Sequence, residues 1–130
     1  MNEERRPVVL IVDDEPRIVS SLLRVLRREG YELLSAERPE DALRLVEERA
    51  IDCVLSDYKM PSMTGIDLLE RIARRHPHAA RLLLTGWPNE IDAAARARGG
   101  VHTVLQKPWD DADLKLALRK AMSLAEPALD

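Results

Sequence analysis

Residues 51–65 read IDCVLSDYKMPSMTG. An apolar run, Ile51 to Leu55, arrives at a carboxylate, Asp57, and then breaks into a loop holding Pro61 and Gly65. The run predicts a short buried strand over Ile51–Ser56. The same event recurs along the chain, and the recurrence decides the fold. VVLIV, residues 8–12, is an uninterrupted β-branched run that ends at Asp13-Asp14-Glu15. Strands are also expected over Tyr31–Ala36, over Arg81–Thr85 and over Val101–Leu105, the last running on to Lys107-Pro108.

Helical periods fill the intervals. After Pro16, Ile18, Leu22 and Leu26 recur every four residues with Val19 and Leu23 beside them, and Gly30 is a candidate C-cap. Pro39 suits the first turn of a helix carrying Ala42, Leu43 and Val46. A third helix follows Gly65, with Ile66, Leu69, Ile72 and Ala73 on one side, and stops before Pro77. Asn89 can cap an Ala-rich helix that reaches Gly99-Gly100. Asp110 or Asp111 opens the last, with Leu114, Ala117, Leu118 and Ala121 inward.

Five strands alternating with five helices imply parallel strands and right-handed crossovers. They are too few for an eight-stranded barrel, so the expected fold is an α/β, doubly wound open sandwich. In such sheets ligands sit outside the carboxyl ends of the strands.

Composition is compatible with one domain. The chain has 130 residues, 45% hydrophobic and 33% charged, with 23 acids against 20 Lys and Arg. The balance is no nucleic-acid footprint. The single cysteine, Cys53, lies in an apolar run and is expected in the core. Neither a signal peptide nor a membrane span is visible, so a cytoplasmic location is expected.

The strand ends carry the chemistry. Asp13 and Asp14, Asp57, Thr85 and Lys107 come from separate segments to one edge. Singly, a strand-end Asp serves more often as a turn residue or helix cap. Jointly, neighbouring carboxylates need a cation or a proton to coexist, and Mg²⁺ accepts such oxygen ligands. A carboxylate beside such a cation, with an amine and a hydroxyl in reach, can accept a phosphoryl group.

The motifs VDDE, SDYKMPSMTG, LLLTG and LQKPW occur here in the order and spacing of a known family. The chain resembles the receiver domains of two-component response regulators from about Val8 to Met122. The resemblance implies a flavodoxin-like (βα)5 sheet of order 2-1-3-4-5, with residues 1–125 as receiver and 126–130 as tail or linker. It implies that Asp57 takes phosphate from a histidine kinase or phosphotransferase. Asp14, Asp57 and the Lys59 carbonyl would hold Mg²⁺, with Asp13 acting through water. Thr85 would contact the phosphoryl group and turn with it, Lys107 would pair with it, and the Lys107–Pro108 bond would be cis. Gly65 would supply a backbone conformation that a Cβ obstructs.

Two departures stand out. The family's switching aromatic is replaced by Val104, in a chain without Phe. The positions that tune phosphate hydrolysis hold Lys59 and Trp87, although Trp87 could instead be a loop aromatic packed on the fourth helix. The stretches TGW and QKPWDDADL are similar to receivers attached to AAA+ transcription activators or to cyclic-di-GMP phosphodiesterase modules. The 130 residues hold no output domain, which fits a stand-alone receiver or a piece of a longer regulator. Signalling or homodimerisation is expected on the face of helix four, strand five and helix five, where Leu116 lies off the inward stripe. Two alternatives remain. One is a pseudo-receiver that binds without switching. The other is an Asp-nucleophile phosphohydrolase of the haloacid-dehalogenase type, which would want an acid where Lys59 stands.

Overall fold

A computed structural model describes residues 5–125; the tail expected at 126–130 lies outside them. The order of elements is β1 (Val8–Val12), α1 (Pro16–Leu26), β2 (Glu32–Ala36), α2 (Pro39–Glu48), β3 (Cys53–Asp57), α3 (Gly65–Arg75), β4 (Ala80–Thr85), a 3₁₀ turn (Pro88–Glu90), α4 (Ala93–Gly99), β5 (Thr103–Gln106) and α5 (Asp111–Ala125). All strand pairs are parallel, in the order β2-β1-β3-β4-β5. The doubly wound sheet expected from the alternation, in the flavodoxin-like order implied by the resemblance, is the fold observed.

Every residue of β1 and β3 is buried, with helices covering both faces, and in β3 this includes the polar Ser56 and Asp57. Alternate side chains part to opposite sides. Leu10, Val54 and Leu83 pack with Ala42 and Val46 of α2 and with Ile66, Leu69 and Ile72 of α3. Val9, Ile11, Leu55, Leu82 and Leu84 pack with Leu22 and Leu26 of α1 and with Leu114 and Leu118 of α5. Cys53 is fully buried in this second layer, and burial pushes its thiol well above the ordinary range.

Several boundaries differ from expectation. α1 ends at Leu26, not at Gly30: its C-cap is Arg27, and Gly30, at φ +89°, belongs to the turn that leads into β2. β3 starts at Cys53 and includes Asp57, two residues later than Ile51. β5 likewise starts at Thr103. Asn89 does not cap α4. It lies within the 3₁₀ turn, and Asp92 caps instead, its side chain accepting from Ala95 N–H at 2.8 Å.

The start of α3 is a capping box. Thr64 Oγ1 accepts Asp67 N–H at 3.1 Å, and Asp67 accepts Thr64 N–H at 3.3 Å. Helix α4 is held more lightly. Among its residues only Gly99 is buried, and Arg98 ties it to α3 through Asp67 (3.1 Å) and Glu70 (2.8 Å).

Candidate functional site at the carboxyl edge of the sheet

β1 and β3 are neighbours in register, with Val12 opposite Ser56, so the residues after each fall side by side. Asp13 is fully buried, Asp57 is 6% exposed, and Asp14 is the most open of the three. Carboxylate oxygens of Asp13, Asp14 and Asp57 all lie within 4.8 Å of one another. β4 brings Thr85 to the same edge, one residue beyond the pairing of Asp57 with Leu84. Lys107 follows β5, and its Nζ donates to Asp57 Oδ1 at 2.9 Å and to Asp13 Oδ2 at 3.1 Å. The Lys107–Pro108 peptide is cis.

The loop after Asp57 is pinned at both ends. Tyr58 N–H donates to the Leu84 carbonyl at 2.9 Å, and Gly65 N–H donates to the Tyr58 carbonyl at 2.7 Å. Gly65 is required for space rather than for an unusual backbone angle, because its φ is not positive. A Cβ there would overlap the Asp57 carbonyl and come within 2.7 Å of Leu83 Cδ2.

One ammonium faces three carboxylates, and the electrostatics reflect the shortfall. Burial raises Asp57 to about 6; the bond from Lys107 opposes the rise and the charge of Asp13 adds to it. Burial raises Asp13 as well, against bonds from Glu15 N–H and Lys107. Burial disfavours the Lys107 ammonium, but its bond to Asp57 and the charge of Asp13 outweigh that and raise it. Three carboxylates gathered at one edge, two of them buried, with a single ammonium beside them offer the hard oxygens that suit a divalent cation.

The other expected residues are placed as follows. Lys59 turns its side chain to Glu90 Oε1 at 3.4 Å. The indole of Trp87 stands in solvent, 75% exposed, rather than packing on α4. Val104 is half-buried on the α2–α4 side, opposite Leu83 in register. Glu90 joins the site although the sequence does not mark it. It accepts the Thr85 hydroxyl at 3.0 Å, and no spacing rule in the sequence announces that contact.

Residues 9–119 match the family described as "Response regulator receiver domain". The chain belongs to that family. This receiver is similar to the transcriptional regulatory protein GlrR of Escherichia coli K12, with 34% identity over 122 residues, covering 94% of this chain and 28% of GlrR. The chain thus spans little more than a quarter of that relative's length. Among solved structures it is similar to the signal receiver domain of an HD domain-containing protein from Pseudomonas fluorescens Pf-5. That match has 38% identity, a TM-score of 0.86, and covers 93% of this chain and 90% of the other. A CheY-like receiver domain protein from Methanospirillum hungatei JF-1 is 27% identical, with a TM-score of 0.86 and coverage of 92% and 96%. Receivers are typically phosphoacceptor switches rather than catalysts, and the acidic cluster of this one is consistent with the metal site typical of receivers. Among the described residues no helix is long and apolar enough to cross a membrane.

Proposed function

We propose that residues 1–125 form a phosphorylation switch in which Asp57 accepts a phosphoryl group from a histidine kinase or phosphotransferase. The observation that carries this is the meeting of Asp57 with Asp13, Asp14 and the Lys107 ammonium at one buried edge. Asp57 is held at a strand end, so its carboxylate is presented from a rigid base. Lys107 neutralises charge on the acceptor and on an incoming phosphoryl oxygen. Thr85 supplies a hydroxyl to the same group once it turns inward. Asp14, Asp57 and the Lys59 carbonyl would hold Mg²⁺, with Asp13 acting through water. Bound there, the ion offsets the negative charge gathered around the acceptor.

The test is direct. With Mg²⁺ and acetyl phosphate, intact mass should rise by one phosphoryl group, and chelation of the metal should abolish the rise. Asp57→Asn should take up none, and Asp14→Ala should need more Mg²⁺. Labelling that persists in Asp57→Asn defeats the assignment.

A kinase or phosphotransferase would dock beside the acceptor. A cleft of about 540 Å³ between α1 and the loop after β5, lined by Ile18, Ser21, Arg24, Val25, Lys107 and Trp109 among others, supports that location. Output, or a homodimer contact, would use α4, β5 and α5, where Leu116 and Leu124 are 47% and 77% exposed. Lys59 and Trp87, two residues after Asp57 and after Thr85, would modulate hydrolysis in the phosphorylated state. The pseudo-receiver reading draws on Val104, a side chain too short to swing. It predicts phosphate uptake without surface change. The phosphohydrolase reading is disfavoured by Lys59, which places an ammonium, paired with Glu90, where that chemistry needs an acid.

A further inference from the structure

Thr85 is 4% exposed, and its single hydroxyl proton is already committed. Oγ1 donates to Glu90 Oε2 at 3.0 Å and accepts Trp87 N–H at 3.2 Å. Glu90 closes the 3₁₀ turn, its N–H donating to the Trp87 carbonyl at 3.0 Å, and the turn brings its carboxylate back over the end of β4. The other carboxylate oxygen faces Lys59 Nζ at 3.4 Å, in the loop after β3. One side chain therefore joins the end of β4, the turn behind it and the loop that follows the acceptor.

A threonine hydroxyl has one hydrogen to give. While Glu90 receives it, a phosphoryl oxygen on Asp57 cannot. We propose that Glu90 is a latch, a positioning residue that holds Thr85 in the unphosphorylated arrangement and must release it when Asp57 is modified. The proposal rests on Asp57 being the acceptor. A latched resting state lowers the fraction of molecules ready for the phosphoryl group, and apparent affinity falls by that fraction. Lys59 is 75% exposed and pairs at 3.4 Å, so it leaves Glu90 at little cost. The holding contact is the one between Thr85 and Glu90. Its release also takes the acceptor from Trp87 N–H, so the β4–α4 loop has to rearrange. That route to the surface needs no ring at position 104.

The experiment measures binding of beryllofluoride with Mg²⁺ by calorimetry on the full chain. The proteins are wild type, Glu90→Ala, Glu90→Gln, Thr85→Val, the double variant Glu90→Ala/Thr85→Val and, as a control, Asp57→Asn. Losing one competing hydrogen bond should tighten binding in Glu90→Ala by about three- to tenfold. Glu90→Gln keeps an acceptor but no charge, and should move the same way by a smaller factor. With Thr85→Val as background there is no hydroxyl to release, so removing Glu90 should change affinity by less than about twofold. Unchanged or weaker binding in both Glu90 variants would overturn the latch. So would an equal gain with and without the Thr85 hydroxyl, because charge repulsion alone would then account for it. Binding that survives in Asp57→Asn would instead overturn the acceptor assignment on which the latch rests.

Discussion

Lys107 and Asp57 are separated by 50 positions in the chain and by 2.9 Å between Nζ and Oδ1 in the fold. The same ammonium reaches Asp13 at 3.1 Å, so it is shared between two buried carboxylates. Lys107→Ala should leave those carboxylates short of their cation and remove a charge from the proposed phosphoryl site. Uptake from acetyl phosphate should slow by about tenfold or more. A variant labelled at the wild-type rate would show that Lys107 is structural only.

Asp57 predicts a trade between stability and chemistry. Burial, partly offset by Lys107, lifts its carboxyl to about 6, above the unfolded value near 3.8. The native state therefore holds this proton to higher pH than the unfolded chain does, and ionising it costs stability. The cost is absent below the unfolded value and complete above about 6. Asp57→Asn should raise the metal-free protein's stability at pH 7.5, on the order of 1–3 kcal/mol, and the gain should shrink toward pH 4. Thermal melts in chelator check this; a variant that melts no higher than wild type at pH 7.5 contradicts it. Mg²⁺ should stabilise wild type more than the variant.

His102 gives the opposite pH sign. Its Nδ1 accepts Arg81 N–H at 3.0 Å, which requires the neutral ring at that nitrogen. Burial, and then the Arg81 guanidinium, hold its pKa below the ordinary 6.5. The unfolded chain then takes up the proton first as pH falls. The stability present above about 6.5 is lost as pH drops from there toward the native value. His102→Gln, which keeps an acceptor without titrating, should flatten the decline in melting temperature between pH 7 and 5. A parallel decline in both proteins would rule His102 out as its source.

The β4–α4 segment should carry the response to phosphate. A ligand shifts a two-state element only through interactions that differ between the states. Thr85 is bonded to Trp87 and Glu90, and α4 buries little beyond Gly99, so this segment is the one with least to hold it back. Beryllofluoride with Mg²⁺ should change tryptophan emission, and Trp87→Leu should remove most of the change. Trp109 is the second reporter, its indole N–H bonded to Asp111 at 3.1 Å. Amide exchange should change most over residues 86–98 and less around Val104. Unaltered exchange there, at proven occupancy of Asp57, would favour the pseudo-receiver.

Gly65→Ala tests the loop that follows Asp57. The added carbon would meet the Asp57 carbonyl and Leu83, backbone and core rather than a flexible tip. A cost of about 1–3 kcal/mol is expected, together with slower phosphate uptake if Asp57 is the proposed acceptor, because its own peptide is displaced. Wild-type stability would mean that the loop yields more easily than its two pinning bonds suggest.

The frame of the molecule was legible because burial on both faces leaves an unmistakable imprint. The runs at Val8–Val12 and Ile51–Leu55 have few other uses, and the acids that end them point to the working edge. Legibility failed where several residues satisfied the same rule. Asn89 and Asp92 are both good caps, and the choice is made by the 3₁₀ turn between β4 and α4. The capping box of Thr64 and Asp67 does carry a signal, a Thr followed three residues later by an acid. Glu90 carried none. Its meeting with Thr85 depends on one turn's geometry and on two side-chain rotamers, neither of which leaves a periodic trace.

Cys53 has a consequence for how the switch can be watched. Its thiol lies at zero exposure in the central strand and is held protonated by burial, so reagents that attack thiolates cannot reach it in the closed fold. Any modification must wait for β3 to come apart from its neighbours, and its rate becomes a clock for that opening. A cysteine engineered at an exposed position such as Ser62 would by contrast react at once. The molecule thus supplies its own silent background for site-directed dyes, and its own alarm for the moment when the sheet gives way.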